Sequence, residues 1–303
     1  MINKMNNPTH SSARGHIAAL ACIVFWGTSF IVTKTLVQTI TPFQVMLLRF
    51  TLAYVMLWVL YPHWHFKLKE EGILVVLALL CNTFYFMAEN TALSITQASN
   101  VSILTSTSPI FSALILLVVN KGERLTKKQG LAYLCAFLGV ILVVLNGSLV
   151  LEIRPLGDLL AISTAIIWAC YNILAKDQTH KYNGFLLARK LMFYAVISSG
   201  MVVAIEGKPI DFAALTNPEC IGGFLYLACL CSALCYVFWN YAIREIGILK
   251  TNIYLYAMPA VTLVAGIIVL DEIITPMGLV GMALITLGLL AGSGIRRRSQ
   301  NEN

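Results

Sequence analysis

The chain has 303 residues, of which 58% are apolar and 12% are charged, and its mean hydropathy is +0.80. An average soluble domain has about 25% charged residues, so this chain cannot cover a water-exposed surface and we expect lipid to be its solvent. The net charge of +7 does not indicate a nucleic-acid partner, because the basic residues lie in short loops between apolar runs, which is a signal of membrane topology.

Ten apolar runs are each close to the roughly 20 residues that a membrane-spanning helix needs. In chain order they cover residues 16–37, 43–61, 72–92, 98–119, 128–146, 157–176, 185–205, 220–243, 250–270 and 276–295. We expect the first run to be retained, because the residues before it are polar and no small-residue cleavage site follows it. The loops are too short for a soluble domain, so the sequence predicts an all-α membrane protein with ten transmembrane helices.

Lysine and arginine are distributed unevenly between alternate loops. One set, with both chain ends, contains Lys4, Arg14, Lys67, Lys69, Lys121, Arg124, Lys127, Lys128, Lys181, Arg244, Lys250, Arg296, Arg297 and Arg298. The other set contains only Arg154 and Lys208. Cytoplasmic loops carry the excess of basic residues, so we expect both termini in the cytoplasm.

The two halves of the chain repeat each other. Residues 77–109 match residues 227–259 at a constant offset of 150, which pairs Asn90 with Asn240 and Pro109 with Pro259. At an offset of 142, a tryptophan followed eight residues later by a lysine occurs as Trp26 with Lys34 and again as Trp168 with Lys176. A repeat of five helices enters the membrane in alternate directions, so we predict two inverted repeats. They comprise residues 16–147 and 157–295, between a cytoplasmic tail of residues 1–15 and a basic tail of residues 296–303.

The order and duplication of these residues resemble the EamA-type transporters of the drug/metabolite transporter superfamily, over residues 16–295. The first half contributes Trp26, Gly27, Lys34, Pro42, Arg49, Asn90, Ala92, Pro109, Glu123, Gly130 and Gly139 to the resemblance. The second half contributes Trp168, Lys176, Asn240, Ala242, Pro259, Glu272, Gly278 and Gly288. Two departures are that Ala169 follows Trp168 where Gly27 follows Trp26, and that Arg49 has no certain counterpart near Arg189 and Lys190.

The resemblance implies a secondary transporter of the bacterial inner membrane, usually an exporter, that needs no cofactor. It also implies a central cavity between the two halves, lined by the first, third, fourth, sixth, eighth and ninth helices. Aromatic residues are frequent on these helices: Trp26, Phe84, Phe86, Trp168, Tyr171, Tyr236, Trp239, Tyr254 and Tyr256. An aromatic cavity binds flat, amphipathic or cationic molecules, whereas the alternative for these residues is a belt at the membrane interface.

Asn90 and Asn240 are predicted to be buried amides. Each could bind substrate or form a hydrogen bond with an adjacent helix, and their duplication favours the second role. Pro109 and Pro259 lie inside the fourth helix of each half, where a proline removes a backbone hydrogen bond and kinks the helix. The kinks could act as hinges or could be structural only.

Charged residues inside the predicted spans are the candidates for gating or coupling. We expect Glu89 to pair with Arg49 or Lys34 in the outer half of the membrane. The pair could form a gate, it could be a static pair that neutralises buried charge, or Glu89 could carry protons. Lys34 could instead extend its ammonium group to the lipid headgroups.

By the inverted symmetry, Lys176 should lie near the inner face, beside Asp177, Arg189 and Lys190. These residues could form a second gate on that side. Alternatively, Lys176 and Asp177 end the sixth helix in water.

The sequence therefore predicts secondary transport of a small organic metabolite or drug, such as an amino-acid-like or aromatic compound, by alternating access and outward across the inner membrane. It contains no nucleotide-binding motif and no catalytic set, so we predict no enzyme and no ATP-driven step. The driving force would be the substrate gradient or proton exchange through Glu89. An importer, a membrane enzyme or lipid-handling protein, and a receptor or subunit that transports nothing remain as alternatives, and the oligomeric state is left open.

Overall fold

A computed structural model of the chain describes residues 8–63, 65–96, 98–119, 126–145, 154–210, 216–270 and 275–293. In these residues the chain forms helices and no β-strand. The ten helical segments are α1 (Pro8–Leu36), α2 (Pro42–Leu60), α3 (Leu68–Ile95), α4 (98–119), α5 (Lys127–Leu145), α6 (Pro155–Lys181), α7 (Gly184–Glu206), α8 (Pro218–Ile246), α9 (248–270) and α10 (Pro276–Ser293). Seven of them, α1–α3 and α6–α9, are long and apolar enough to cross a membrane, and α4 and α10 contain shorter apolar helices. The prediction of an α-helical membrane protein is confirmed.

Some residues used in the sequence analysis lie outside the described part of the chain. They are Lys4, Lys121, Glu123, Arg124, Glu272, Arg296, Arg297 and Arg298, together with residues 1–7 of the predicted N-terminal tail and the whole predicted C-terminal tail. The described helices nevertheless define two ends of the bundle. We call the end where α1 begins, which carries Arg14, the proximal end, and the end where α1 finishes, near Thr41, the distal end.

Helix boundaries follow from local capping residues. The Thr41 side chain accepts a hydrogen bond from the backbone N–H of Gln44 at the start of α2, and Asn183 does the same for Phe185 at the start of α7. These side chains satisfy backbone donors that the first turn of a helix cannot pair internally. Helix α7 ends at Gly207, whose φ of 69° lies in the left-handed region that favours glycine.

Helix packing is symmetric between the two halves. Helix α1 packs on α8 and α9, and its counterpart α6 packs on α3 and α4. Helix α2 packs on its counterpart α7, and α5 packs on its counterpart α10. Exchanging the halves leaves this set of contacts unchanged. Because each half crosses the bundle five times, the halves run in opposite directions, as the pseudo-two-fold arrangement of inverted repeats requires.

The third and fourth helices of each half are irregular near the centre of the bundle. Helices α3 and α8 contain π-helical stretches at Leu79–Phe84 and Tyr226–Leu234, and a 3₁₀ stretch, Ile253–Ala257, interrupts α9. Pro109 and Pro259 are each the second residue of the regular helix that follows the irregular part of α4 or α9. A proline is tolerated there because the first turn needs no internal N–H donor. A hinge role for these prolines stays a prediction.

Helices α5 and α10 approach each other closely at two glycines that belong to the family-like pattern. A Cβ atom at Gly139 would lie 2.6 Å from the carbonyl oxygen of Gly281. A Cβ atom at Gly288 would lie 2.7 Å from the Cβ atom of Ala136. The close approach of two helix backbones, which small residues allow in membranes, explains both glycines.

We expect Gly288→Ala to lower the free energy of unfolding by about 1–3 kcal/mol, because the added methyl group overpacks the α5–α10 contact. Thermal unfolding of the detergent-purified protein measures this effect. The control is Gly130→Ala on α5, where an added Cβ atom meets nothing within 4 Å. Equal melting temperatures for both variants would contradict the close contact.

Candidate substrate cavity

A narrow cavity lies at the centre of the bundle, where the two halves meet. Its volume is about 30 Å³, which is room for only one or two water molecules. The side chains around it are Trp26, Ser29, Phe30, Arg49, Tyr85, Phe86, Glu89, Thr105, Trp168, Tyr236, Leu255 and Met258. They come from α1, α3, α4, α6, α8 and α9, the helices that the resemblance implied, and from α2 through Arg49.

Aromatic rings from both halves pack against each other at the cavity. Trp26 and its counterpart Trp168 meet edge to face, with ring centroids 5.3 Å apart. Tyr85 lies 5.3 Å from Trp168, and Tyr236 lies 6.2 Å from it. Such contacts add to the apolar burial of the rings and surround the cavity with π surfaces.

The two tryptophans differ in their hydrogen bonding. The Trp26 Nε1–H donates to the backbone oxygen of Cys231 at 2.9 Å. The equivalent oxygen in the other half, on Cys81, instead accepts a bond from the Tyr236 hydroxyl at 2.7 Å. Trp168 Nε1 is buried and has no hydrogen-bond partner among the described residues. An unpaired buried donor costs about 1–3 kcal/mol, so Trp168 offers a donor that a bound molecule could satisfy.

Arg49 reaches the cavity from α2. Its Nε atom donates to the Ser232 hydroxyl at 2.5 Å, which is its only hydrogen bond among the described residues. The guanidinium carbon lies 4.4 Å from the centre of the Phe86 ring, a cation–π geometry. Ser232 could not be predicted as a partner of Arg49, because a single serine in an apolar span is common.

Glu89 lies one turn after Phe86 on α3 and also lines the cavity. It is 5% exposed. In the described part of the chain, no lysine or arginine nitrogen lies within 4.0 Å of the Glu89 carboxylate, the distance at which the two would form an ion pair. The expected pairing of Glu89 with Arg49 or Lys34 is therefore absent in this conformation, although Arg49 and Glu89 border the same space.

Lys34 has a different partner from the one expected. Its Nζ atom donates to the backbone oxygens of Leu93 and Thr96, at 2.5 and 2.9 Å. These carbonyls belong to the end of α3, where unpaired oxygens and the negative end of the helix dipole favour a cation. Lys34 thus links α1 to α3 by hydrogen bonds at the distal end.

Arg189 and Lys190 of α7 also link helices, at the proximal end. Arg189 donates to the backbone oxygens of Tyr61 and His63 between α2 and α3. Lys190 pairs with Glu71 at 2.5 Å. Sequence reasoning missed Glu71, because the predicted span began at the next residue. A gating role for Lys176, an intermediately exposed residue of α6, stays a prediction.

The neighbouring Glu70 binds two residues at the turn between α6 and α7. Its carboxylate accepts a hydrogen bond from the Tyr182 hydroxyl at 2.6 Å and lies 3.1 Å from Lys181. Burial and the bond to Glu70 raise the pKa of Tyr182 well above its usual range. Tyr182 therefore stays protonated and keeps its donor role at physiological pH.

The other predicted cavity residues lie elsewhere. Phe84 is 49% exposed and faces away from the cavity, because the π-helical stretch and the next turn direct Phe86 and Glu89 inward instead. Trp239 and Tyr171 form a layer behind Trp26 and Trp168, with bonds from Trp239 to Asn172 and from Tyr171 to Asn240. Tyr254 bonds to His16, and Tyr256 packs against Tyr133. The predicted cavity residues that do not line this cavity are therefore Phe84, Asn90, Tyr171, Trp239, Asn240, Tyr254 and Tyr256.

The sequence analysis missed several residues that line the cavity. Ser29 and Phe30 lie three and four positions after Trp26, and Tyr85 lies four positions before Glu89. Residues at these spacings share one face of a helix, so the periodicity around the predicted residues could have found them. Leu255 and Met258 were missed because only the tyrosines of α9 were expected at the cavity, and a leucine or a methionine in an apolar span is no signal by itself.

Comparison with known proteins assigns the family. Residues 13–145 and 155–292 each match the EamA-like transporter family. The chain belongs to this family. The resemblance found in the sequence is confirmed, and the protein is a small-molecule transporter in a membrane. The two matched segments correspond to the two five-helix halves.

Relatives of this EamA-like transporter align along most of its length. An uncharacterized transporter of Archaeoglobus fulgidus is 31% identical over 86% of this chain and 91% of its own. An uncharacterized transporter of Bacillus subtilis is 28% identical over 93% of this chain and 94% of its own length. A probable amino-acid metabolite efflux pump of Escherichia coli is 24% identical over 92% of this chain and 94% of its own length. A crystal structure with 14% identity shares the fold, with a TM-score of 0.75 over 92% of this chain and 96% of that one.

We expect Lys190→Met to lower the free energy of unfolding by about 3–5 kcal/mol, because it leaves the Glu71 carboxylate buried without its charged partner. Chemical unfolding of the purified protein measures the loss. The double variant Glu71→Leu, Lys190→Met should recover most of it, since both charges are then removed. A double variant as unstable as the sum of both single ones would contradict this coupling.

Proposed function

We propose that this transporter moves a small amino-acid-like metabolite, including aromatic ones, outward across the inner membrane by alternating access between its halves, residues 16–147 and 157–295. The observation that carries the proposal is the cavity between the halves, which combines one cation, one carboxylate and one unpaired N–H donor with aromatic walls. Such a set matches a molecule that has a carboxylate, an ammonium group and an apolar side chain.

Each polar group of the cavity has a complementary group on an amino acid. The terminal nitrogens of Arg49 can bind a carboxylate, since only its Nε atom is engaged, by Ser232. Glu89 can accept the ammonium group, because it has no lysine or arginine partner among the described residues. Trp168 Nε1 can donate to a second oxygen of the carboxylate. Trp26 and Phe86 would surround the side chain.

The narrowness of the cavity fits a transport intermediate better than a permanent binding pocket. At about 30 Å³ it is far smaller than the 300 Å³ or more of an ordinary ligand site. Binding would therefore require the halves to move apart around the substrate. The irregular parts of α3, α4, α8 and α9 lie beside the cavity and could accommodate this movement.

Relatives support the substrate class and the direction. Those of Escherichia coli and Salmonella typhimurium are both named probable amino-acid metabolite efflux pumps, and they align with 92% and 95% of this chain. We place the proximal end, with Arg14, Lys67, Lys181 and Arg244, in the cytoplasm, because basic residues mark that side of the membrane. An exporter would load its substrate from this end.

Trp168→Phe is the sharpest test of the binding site, because it removes the unpaired N–H group, together with the five-membered part of the indole ring. We expect the melting temperature without ligand to fall, because the smaller ring packs less well, and the Kd of a bound amino acid to rise about tenfold, as for a lost hydrogen bond to a charged group. Ligand-dependent thermal stabilisation, with a panel of amino acids and aromatic cations, measures both values.

Trp26→Phe is the matched control, since its N–H group already bonds to Cys231. This variant should lower the melting temperature without ligand by more than Trp168→Phe does, because it loses the same ring volume and a hydrogen bond as well. If no amino acid stabilises the wild type, or if Trp168→Phe binds as tightly as the wild type, the proposed substrate site is wrong.

Glu89→Gln tests proton coupling. In proteoliposomes, we expect the variant to lose accumulation driven by an imposed pH gradient, because a glutamine cannot release a proton. Substrate exchange without a gradient should continue at a higher KM, because the amide oxygen still accepts a hydrogen bond from the ammonium group but carries no charge. Glu206→Gln, at the distal end beside Thr41 and Lys208, is the control and should keep both activities. Accumulation by Glu89→Gln at the wild-type rate and with the wild-type pH dependence would remove Glu89 from both coupling and gating.

A further inference from the structure

The starts of α2 and α7 are equivalent positions in the two repeats. Both helices are preceded by a capping residue, Thr41 or Asn183, and these residues are 142 positions apart. The same offset relates Trp26 to Trp168. Pro42, the first residue of α2, therefore corresponds to Gly184, the first residue of α7.

At the distal end, an asparagine ties α3 to the start of α2. The Asn90 Nδ2 atom donates to the backbone oxygen of Pro42 at 3.0 Å, and the Asn90 side chain is fully buried. A backbone oxygen has two lone pairs, so the Pro42 carbonyl can accept this bond in addition to its helical one. We call this bond the distal latch.

At the proximal end, the equivalent bond is not formed. Asn240, the counterpart of Asn90, is 1% exposed, and its Nδ2 atom has no hydrogen-bond partner among the described residues. Its Oδ1 atom accepts a bond from Tyr171, which fixes the orientation of the amide. The acceptor that the repeat symmetry assigns to Nδ2 is the carbonyl oxygen of Gly184.

A groove occupies the place of the missing bond. It has a volume of about 470 Å³, and its walls include Asn183, Gly184 and Asn240. Arg14 and Arg244 lie on the groove as well, which places its opening at the proximal end. On α8, Asn240 lies one turn, or about 6 Å, from Tyr236 of the central cavity. The groove thus leads from the proximal end toward the cavity, and Trp26 and Trp239, 4.9 Å apart, form the layer between them.

The pairing of α2 with α7 does not distinguish the two ends of the bundle. At the distal end, Gln44 donates to the backbone oxygens of Lys208 and Pro209. At the proximal end, Lys190 pairs with Glu71, and Arg189 bonds to the α2–α3 connection. Because this interface is fastened at both ends, the difference between the ends lies in the two asparagines.

We propose that the groove is the cytoplasmic mouth of the transport path, open in this structure, and that a bond from Asn240 Nδ2 to the Gly184 oxygen closes it in the opposite state. In that state the distal latch from Asn90 to Pro42 is broken. Inverted repeats exchange their conformations between the two states, so the closed distal side shows what the proximal side becomes. The proposal rests on the proposed transport function for the role of the mouth, and the arginines on its wall favour a substrate with a carboxylate.

Hydrogen–deuterium exchange of the full-length protein in lipid nanodiscs, without substrate, tests the two latches. In Asn90→Ala, amides in residues 43–46 should exchange faster because the distal latch is lost. Loss of the distal bond should shift the population to the opposite state, in which the proximal bond forms. Amides in residues 184–187 should then exchange more slowly, by a factor on the order of fivefold, which corresponds to the free energy of one hydrogen bond. In Asn240→Ala, exchange in residues 184–187 should stay at the wild-type rate, because no bond is lost in this state.

The double variant Asn90→Ala, Asn240→Ala separates the latch from a structural role. It should keep the faster exchange in residues 43–46 but lose the protection in residues 184–187, because the proximal latch can no longer form. Tyr171→Phe is the control: it removes the observed bond to Asn240 Oδ1 and keeps Nδ2, so the protection caused by Asn90→Ala should persist. If Asn90→Ala does not fold, Asn90→Ser replaces it.

Two results would overturn the proposal. One is faster exchange in residues 184–187 of Asn240→Ala alone, which would mean that the proximal bond already exists. The other is faster exchange at the distal end of Asn90→Ala without any protection at the proximal end, which would mean that the ends are not coupled. Neither readout requires a substrate, so a failure of the latch and a failure of the proposed substrate class give different results.

Discussion

The structure depends on the absence of water from the apolar core of a bilayer, where every polar group needs a partner within the protein. The helices satisfy the backbone, and buried side chains find partners across the interface between the halves. Trp26 bonds to the backbone of Cys231, and Arg49 bonds to Ser232, so the first half of the chain is held by α8 of the second. Under this constraint, an unpaired buried donor such as Trp168 Nε1 raises the free energy of the protein until it finds a partner.

The two halves are similar enough for their differences to be informative. Equivalent helices pack alike, and both halves have irregular third and fourth helices. Within this frame, Tyr236 replaces Phe86 and captures the Cys81 oxygen, which leaves Trp168 without an acceptor. Asn240 lacks the bond that Asn90 has. The first difference lies in the sequence and makes the cavity asymmetric, whereas the second, in the latch that we propose, would be one of conformation.

Charged residues fall into two groups with different physical roles. Lys34 and Lys190 bind partners near the ends of the bundle, where a helix terminus or a carboxylate compensates their charge. Arg49 and Glu89 border the central cavity, where a charge at membrane depth costs several kcal/mol unless it is compensated. In the function proposed above, a substrate that carries both charges would compensate Arg49 and Glu89.

The sequence by itself determined the helical membrane fold, the ten segments, the duplication and the family, because apolar length and repeated residues are properties of the chain read in order. It also identified Arg49 and Glu89, because a charge is costly in lipid. The aromatic residues Trp26, Phe86, Trp168 and Tyr236 followed from the family resemblance, which places their helices around a cavity. Only the tertiary structure decided that Lys34 caps α3, that Glu71 pairs with Lys190, that Phe84 faces outward and that Asn240 differs from Asn90. These outcomes depend on which residue of a distant helix lies within about 3 Å, and that distance is set by packing between the halves and by the irregular turns of α3 and α8.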